Sequence, residues 1–502
     1  MRTHHHRGSI FSKLLIAVAI VLILFIALVA WAVWSAATAK PMGMVTDYAA
    51  QMQAAVENGQ PEGQDAWPDI LLVTDLIGTI CQGALDEFAA DPANTATVAQ
   101  HPINIWSIDF TAIYNTAWMG DVNSEDPSDR ESAEWSRIGS AIARHALDAA
   151  PATGIFEALD DIAAAPRAVR PIDTEGPLIH ILLPELSKAR SITRMNTARA
   201  HLAAEAGDWP EAVRSTEHSL ALARHFRAQA TLIEHLVGIA IQAVALHRIE
   251  FWLGDPAHTP ETVAAIAGPL AAALDRQRST RTIADTLNTE RIWALDFIQW
   301  THTPGGRAIP ASMATQGGTI PGGPAAALAT APPAISNLAG FVMPSARETE
   351  RILTEIYATL ADYAALPRAE RQDVSAEFDR LVNSNWLAEV LVPAVSKAAD
   401  TADLAHIHWN LTRTALAIEL HRARTGTLPE TLADLTEPNA PNFTKDPVTN
   451  DAQLHYSINT TQSTTFTLYS IGLDCTNDNA TPSPEPRRAE PGDIVWGITP
   501  DN

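Results

Sequence analysis

At 502 residues with 46% hydrophobic side chains, the chain is long enough for roughly two to four packed units and too long for one small core. Its 58 acidic residues against 34 basic ones leave a net charge of −24, which repels nucleic-acid phosphates and anionic lipid surfaces and argues against DNA or RNA binding. Only 6% of residues are aromatic and alanine is abundant, a helix-favouring balance, and the 33 prolines fall mainly between segments, where they act as breaks.

The first strong signal is residues 14–34, LLIAVAIVLILFIALVAWAVW, which carry no charged side chain and are long enough to cross a hydrocarbon core of about 30 Å as a helix. Arg2, Arg7 and Lys13 precede this run, with His4, His5 and His6 between them, whereas Lys40 is followed by Asp47 and Glu57. The positive-inside tendency then puts residues 1–13 in the cytoplasm and the bulk of the chain outside, as in a single-pass protein of a bacterial inner membrane. Trp31 and Trp34 fit an interfacial aromatic belt. Ala37-Thr38-Ala39 resembles a signal-peptide junction, but the apolar run is longer than the roughly 7 to 15 residues of a cleavable segment, which favours an uncleaved anchor over cleavage after Ala39.

Residues 45–300 read as successive helices separated by Pro and Gly. In residues 198–222, Ala200, Leu202 and Ala203 form one apolar face, Gly207-Asp208 breaks it, and Ala212, Val213, Leu220 and Leu222 form a second. Residues 232–253 are strongly apolar, yet Glu234, His235, His247, Arg248 and Glu250 interrupt them, so the pattern predicts a buried core helix rather than a second span. Residues 303–333 are rich in Gly and Pro without periodicity and read as a linker; helical pattern resumes over 345–399.

The tail, 400–502, begins with an amphipathic helix closed by Gly426 and a short helix over 431–435. Alternation at Leu454, Tyr456 and Ile458, and again at Phe466, Leu468 and Ser470, predicts antiparallel strands, with a closing strand at Asp493-Ile-Val-Trp496. The expected fold class is therefore mainly α, a membrane anchor followed by a helical array, with a small C-terminal α+β module.

Two resemblances accompany this reading. The pair at 198–222 is similar to one tetratricopeptide-type helix-turn-helix, on Ala200, Gly207, Trp209 and Ala212. The C-terminal fifth resembles the globular domain of type II secretion major pseudopilins and related planctomycete-type membrane proteins. The points of contact are Arg424-Thr-Gly-Thr-Leu-Pro429-Glu-Thr-Leu432, Asp446-Pro447, Tyr456, Tyr469-Ser-Ile-Gly-Leu-Asp474 and Gly492-Asp-Ile-Val-Trp496. Residues 14–34 lack the Gly-Phe junction and early glutamate of a prepilin, so the resemblance implies a shared fold more than fibre assembly. It also implies calcium in the acidic loop, held by Asp474, Asn477, Asp478 and Asp493 with Asn479 nearby, since a hard cation takes six to eight oxygens. The residues by themselves are equally readable as an Asx-rich turn bonding its own backbone.

Motifs for catalysis are absent from the sequence: there is no Gly-x-Ser-x-Gly elbow, no His-Glu-x-x-His, no phosphate loop and no dinucleotide turn. His406 and His408, two residues apart on a helix, point to different faces, and Glu217-His218, Glu234-His235, Asp160-Asp161 and Asp69/Asp75 read as scattered helix-surface groups. Cys81 and Cys475 are the only cysteines, open to one disulfide or to two free thiols. The expected function is a non-catalytic envelope scaffold with protein partners, related to assembly or secretion; the alternative is an envelope metal-assisted hydrolase.

Overall fold

A computed structural model describes residues 24, 26–92, 94, 108, 110–113, 127–172, 176–255, 257–312, 332–371, 380, 395–437, 440–449, 452–459, 465–483 and 491–497. Residues 14–23 of the apolar run, 313–331 of the Gly/Pro stretch and most of 372–394 lie outside them. The protein is mainly helical with one small three-stranded sheet. In chain order the helices are α1 (Ile26–Ala37), α2 (Tyr48–Asn58), α3 (Trp67–Ala90), α4 (Pro127–Ala149), α5 (Ile155–Ala164), α6 (Glu185–Glu205) and α7 (Trp209–Arg227). They continue as α8 (Leu232–Gly254), α9 (Pro260–Arg276), α10 (Ile283–Thr301), α11 (Pro333–Leu338), α12 (Ala346–Ala365), α13 (Val395–Thr425) and α14 (Ala440–Phe443).

The hairpin of α6 and α7 forms where the sequence breaks. Gly207 takes φ +77°, a left-handed value that costs glycine little, and the Asp208 carboxylate caps α7 by accepting from the Glu211 N–H at 3.2 Å. Ala200 and Ala212 are fully buried, as are Leu220 and Leu222, and Trp209 meets Trp252 of α8 edge-on at 5.8 Å. Helices α3 and α8 are both long and apolar enough to cross a membrane by length and composition, and about half of each is buried inside the protein. In α8 the buried set includes Glu234, His235, Gln242 and Arg248, and the helix packs among α6, α7, α10 and α13. Polar side chains with protein partners belong in a folded core.

The helices on either side of residues 303–333 share one core. Ile352, Leu353, Ile356 and Leu360 of α12 join Leu287, Ala294 and Ile298 of α10. The Ala346 N–H donates to the Gly306 carbonyl at 2.8 Å, so α12 starts directly on the turn that leaves α10. At the other end, the C-terminus of α1 is held by Arg307 Nη2 donating to the Ser35 carbonyl (2.9 Å) and Asn337 Nδ2 donating to the Ala36 carbonyl (3.1 Å). Trp31 lies 5.8 Å from Phe341, and the Met42 N–H bonds the His302 carbonyl.

Helix α13 joins the array to the sheet through two faces. Ile407, Leu411, Ala415 and Ile418, at helical spacing, pack on Leu454, Leu468, Leu473 and Ile494, while Trp409 and Leu416 enter the core of α7, α8 and α9. On that array side Arg413 forks onto Asp275 at 2.9 and 2.8 Å. The strands β1 (His455–Ile458), β2 (Phe466–Ser470) and β3 (Ile494–Val495) are antiparallel in the order β1-β2-β3, with His455 opposite Tyr469 and Tyr469 opposite Val495. Gly426 ends α13 at φ +78°, as its position in the sequence predicts. Buried Asp446 ties the module together, accepting from Ser470 Oγ at 2.8 Å and the Ile471 N–H at 3.0 Å.

Candidate functional site: acidic loop, buried histidines and an arginine-lined cleft

The acidic loop after β2 brings its predicted residues together, but around backbone donors. Asp474 Oδ1 accepts from the Thr476 N–H and Oδ2 from the Gly492 N–H, both at 3.0 Å. Asp493, fully buried, accepts from the N–H groups of Asp478 (3.3 Å) and Ala480 (2.7 Å). Asn477 Oδ1 takes the Asn479 N–H (2.9 Å) and the Tyr469 hydroxyl (3.2 Å). Cys475, Asn479 and Ala480 all adopt φ near +60° without being glycine. These oxygens close the loop on itself, and the side-chain oxygens of Asp478 and Asn479 have no hydrogen-bond donor among the described residues. On these bonds the arrangement is that of interlocking Asx turns, in which several of the oxygens named for calcium already accept a backbone N–H. Among the described residues no group of three or more His, Cys, Asp or Glu side chains is arranged to hold a metal ion.

The scattered acid–histidine pairs resolve into partners from other helices. His218 on α7 contacts Asp160 Oδ1 of α5 through Nε2 at 2.8 Å, and Arg214 forks onto the same carboxylate. Asp160 is thus an ion-paired group rather than a purely solvated one, and Arg214 and His218 hold its carboxyl down to about 2. Glu217, the neighbour of His218, instead pairs with Arg276 at 2.8 and 2.7 Å. His235 contacts the Arg227 carbonyl and Thr286 Oγ1, while its neighbour Glu234 serves Arg170. His406 is exposed, Ile407 is buried and His408 lies 3.8 Å from Glu250, so the two imidazoles do diverge. Cys81 is buried in the α3 core and Cys475 half-buried beside the sheet; both are free thiols, and burial pushes Cys81 up to about 12.

Burial sets the titration of His218, His235 and a third imidazole, His225 of α7, whose Nε2 lies 2.9 Å from the Ile162 carbonyl oxygen. It pushes His218 down to about 4, against the pull of Asp160, and His225 and His235 down to about 3 with help from Arg224 and Arg227. All three are neutral in the folded protein at pH 7, while the unfolded chain protonates near pH 6.5. Their contribution is therefore complete above pH 6.5 and lost as pH falls through about 4 to 3. Denaturant titrations at pH 7.5 and pH 5 are expected to differ by about 2 kcal/mol for each such histidine, and His235→Gln is expected to narrow the gap by that amount. An unchanged gap in the variant would contradict this assignment.

A second constellation escapes linear reading because four separate stretches build it. Arg224 of α7, Arg276 at the end of α9, and Arg278 and Arg281 in the α9–α10 connection line a cleft of about 250 Å³ that Gln60 and Pro166 help close. Arg224 donates to the carbonyls of Ala165 (2.7 Å) and Pro166 (2.9 Å) and to Gln277 Oε1 (2.9 Å), all neutral acceptors. Burial lowers its guanidinium to about 10. Arg281 is 7% exposed; its Nη2 donates to Thr289 Oγ1 at 3.0 Å, and its Nε has no partner. Arg278 is exposed and forms no ion pair among the described residues. Gly59 leaves room for Arg281, whose Nη1 would stand 3.0 Å from a Cβ there. The local signal was the run Arg276-Gln-Arg-Ser-Thr-Arg281, three guanidinium groups within six residues of an acidic chain. Comparison with known proteins returns no matching family model, no similar curated protein and no similar solved structure.

Proposed function

We propose that the chain is a single-span protein of a bacterial inner membrane, anchored through residues 14–34, whose bulk stands outside the cytoplasm as a non-catalytic scaffold for protein partners, in a role related to envelope assembly or secretion. The observation that carries the anchor is the surface of α1. Leu24, Ile26, Leu28, Trp31 and Trp34 are each more than half exposed, and Val29 and Val33 nearly so. At 100° per residue these positions surround the helix, and they stay this exposed even with Phe341 packed against Trp31. A helix apolar all round needs lipid or protein about it. The bonds from Arg307 and Asn337 seat the end of that helix on the array, which supports a scaffold held rigidly to the membrane rather than tethered by a loose linker. The stacked helices and the pseudopilin-like order of the C-terminal elements support the binding role, since helical arrays offer extended protein-binding surfaces.

Alkaline carbonate extraction of membranes tests the anchor. The full chain is expected to stay with the membrane pellet and a chain lacking residues 1–34 to be released. Full release of the intact chain by carbonate would contradict the reading.

A further inference from the structure

We propose that the arginine-lined cleft between α7 and the α9–α10 connection binds the phosphate group of a small ligand. In a chain of net charge −24, four arginines line this cleft, and among the described residues only Arg276 is directly paired with a carboxylate, that of Glu217. Glu217 acts on Arg224, and Glu234 and Asp285 on Arg281, only at a distance. Keeping unpaired cations together and partly desolvated is costly unless an anion joins them. Arg224 is fixed by neutral partners, the Ala165 and Pro166 carbonyls, Gln277 Oε1 and His225 Nε2, with no carboxylate bonded to it, and Arg281 is nine-tenths buried with a buried Nε–H that has no acceptor. These guanidinium groups are held in place and their charge gains from an anion in the cleft.

The shape of the site selects the anion. Arg224 reaches the cleft from one helix and Arg278 and Arg281 from the opposing connection, with the Ser279 and Thr280 hydroxyls beside them. Donors arriving from several directions suit a tetrahedral group, whereas a planar carboxylate is satisfied by one fork. About 250 Å³ is room for about eight waters at ~30 Å³ each, enough for a phosphate and a few attached atoms and below the usual range for larger ligands.

The test is calorimetric titration of the detergent-solubilised full chain with inorganic phosphate, glycerol phosphate and acetate, alongside the same titration with a water-soluble short-chain phosphatidic acid. Arg278→Glu is the variant, because Arg278 is exposed and holds no structural bond. Saturable phosphate or glycerol phosphate binding, weakened about tenfold or more by the variant and by added salt, is the expected result for a soluble ligand. Binding of the short-chain phosphatidic acid tighter than that of inorganic phosphate, abolished by Arg278→Glu and competed by inorganic phosphate, supports the same site with a lipid headgroup as the source. Absence of binding in both arms, acetate binding as tight as phosphate, or binding indifferent to Arg278→Glu would overturn the proposal.

Discussion

Replacing Glu234 with alanine is expected to destabilise the protein by about 4 kcal/mol. Glu234 is 1% exposed and serves four donors at the start of α8: Arg170 Nε at 2.7 Å and Nη2 at 3.4 Å, the Thr231 N–H at 3.0 Å and the Thr231 hydroxyl at 2.8 Å. The substitution strands Arg170, itself 8% exposed, as an unpaired buried cation, which typically costs about 3–5 kcal/mol, and opens a capping box worth about 1 kcal/mol more. The two losses share one side chain and do not simply add. Replacing both partners with apolar residues, Arg170→Met with Glu234→Leu, should recover much of the loss, because no charge is then left buried. Urea denaturation of the two variants decides it. A loss below about 1 kcal/mol in Glu234→Ala would mean that Arg170 finds water or another acceptor.

Gly238, one turn further along α8, is expected to show the second large effect, and here two principles predict opposite signs. Helix propensity alone makes Gly238→Ala stabilising by about 1 kcal/mol. Close packing reverses this, because a Cβ at that position would lie 2.7 Å from the Ala223 carbonyl oxygen and 2.8 Å from the Arg227 backbone nitrogen. Both obstacles are backbone of α7, so rotamer changes cannot relieve them and the helices must separate. Overpacking of this kind costs about 1–3 kcal/mol for alanine, and the bulkier Gly238→Val should exceed that range. A thermal melt in which Gly238→Ala matches or exceeds the wild-type Tm would show that α7 and α8 part easily.

What the sequence made legible was local. The break at Gly207-Asp208, the stop at Gly426 and the alternation of Leu454 to Ile458 and Phe466 to Ser470 each depend on a few neighbouring residues, and each became the expected turn, cap or strand. The buried reading of α8 was legible too, because Glu234, His235 and Arg248 interrupt its apolar run. What stayed hidden depends on distant partners. Nothing near residue 303 announces that α12 packs on α10, since apolar periodicity does not name the face it will meet. Asp160 has nothing in its own helix to distinguish it from Asp161; His218 and Arg214, more than fifty positions later, make the difference. In the acidic loop a turn bonding its own backbone was legible, but the pairing across it, Asp474 with the Gly492 N–H and Asp493 with the Ala480 N–H, was not.

The claim that the bulk of the chain stands outside a membrane is tested most directly at Cys475. This thiol is half-buried beside the sheet, while the only other cysteine, Cys81, is sealed in the α3 core, so one reagent reports on one site. Bacteria expressing the full chain, with the outer membrane removed, would be treated with a membrane-impermeant maleimide at mildly alkaline pH, because burial holds the Cys475 thiol above its usual range. Labelling in intact spheroplasts that disappears in Cys475→Ser is the predicted result. Labelling that requires lysis of the inner membrane would place the C-terminal module in the cytoplasm and contradict the account.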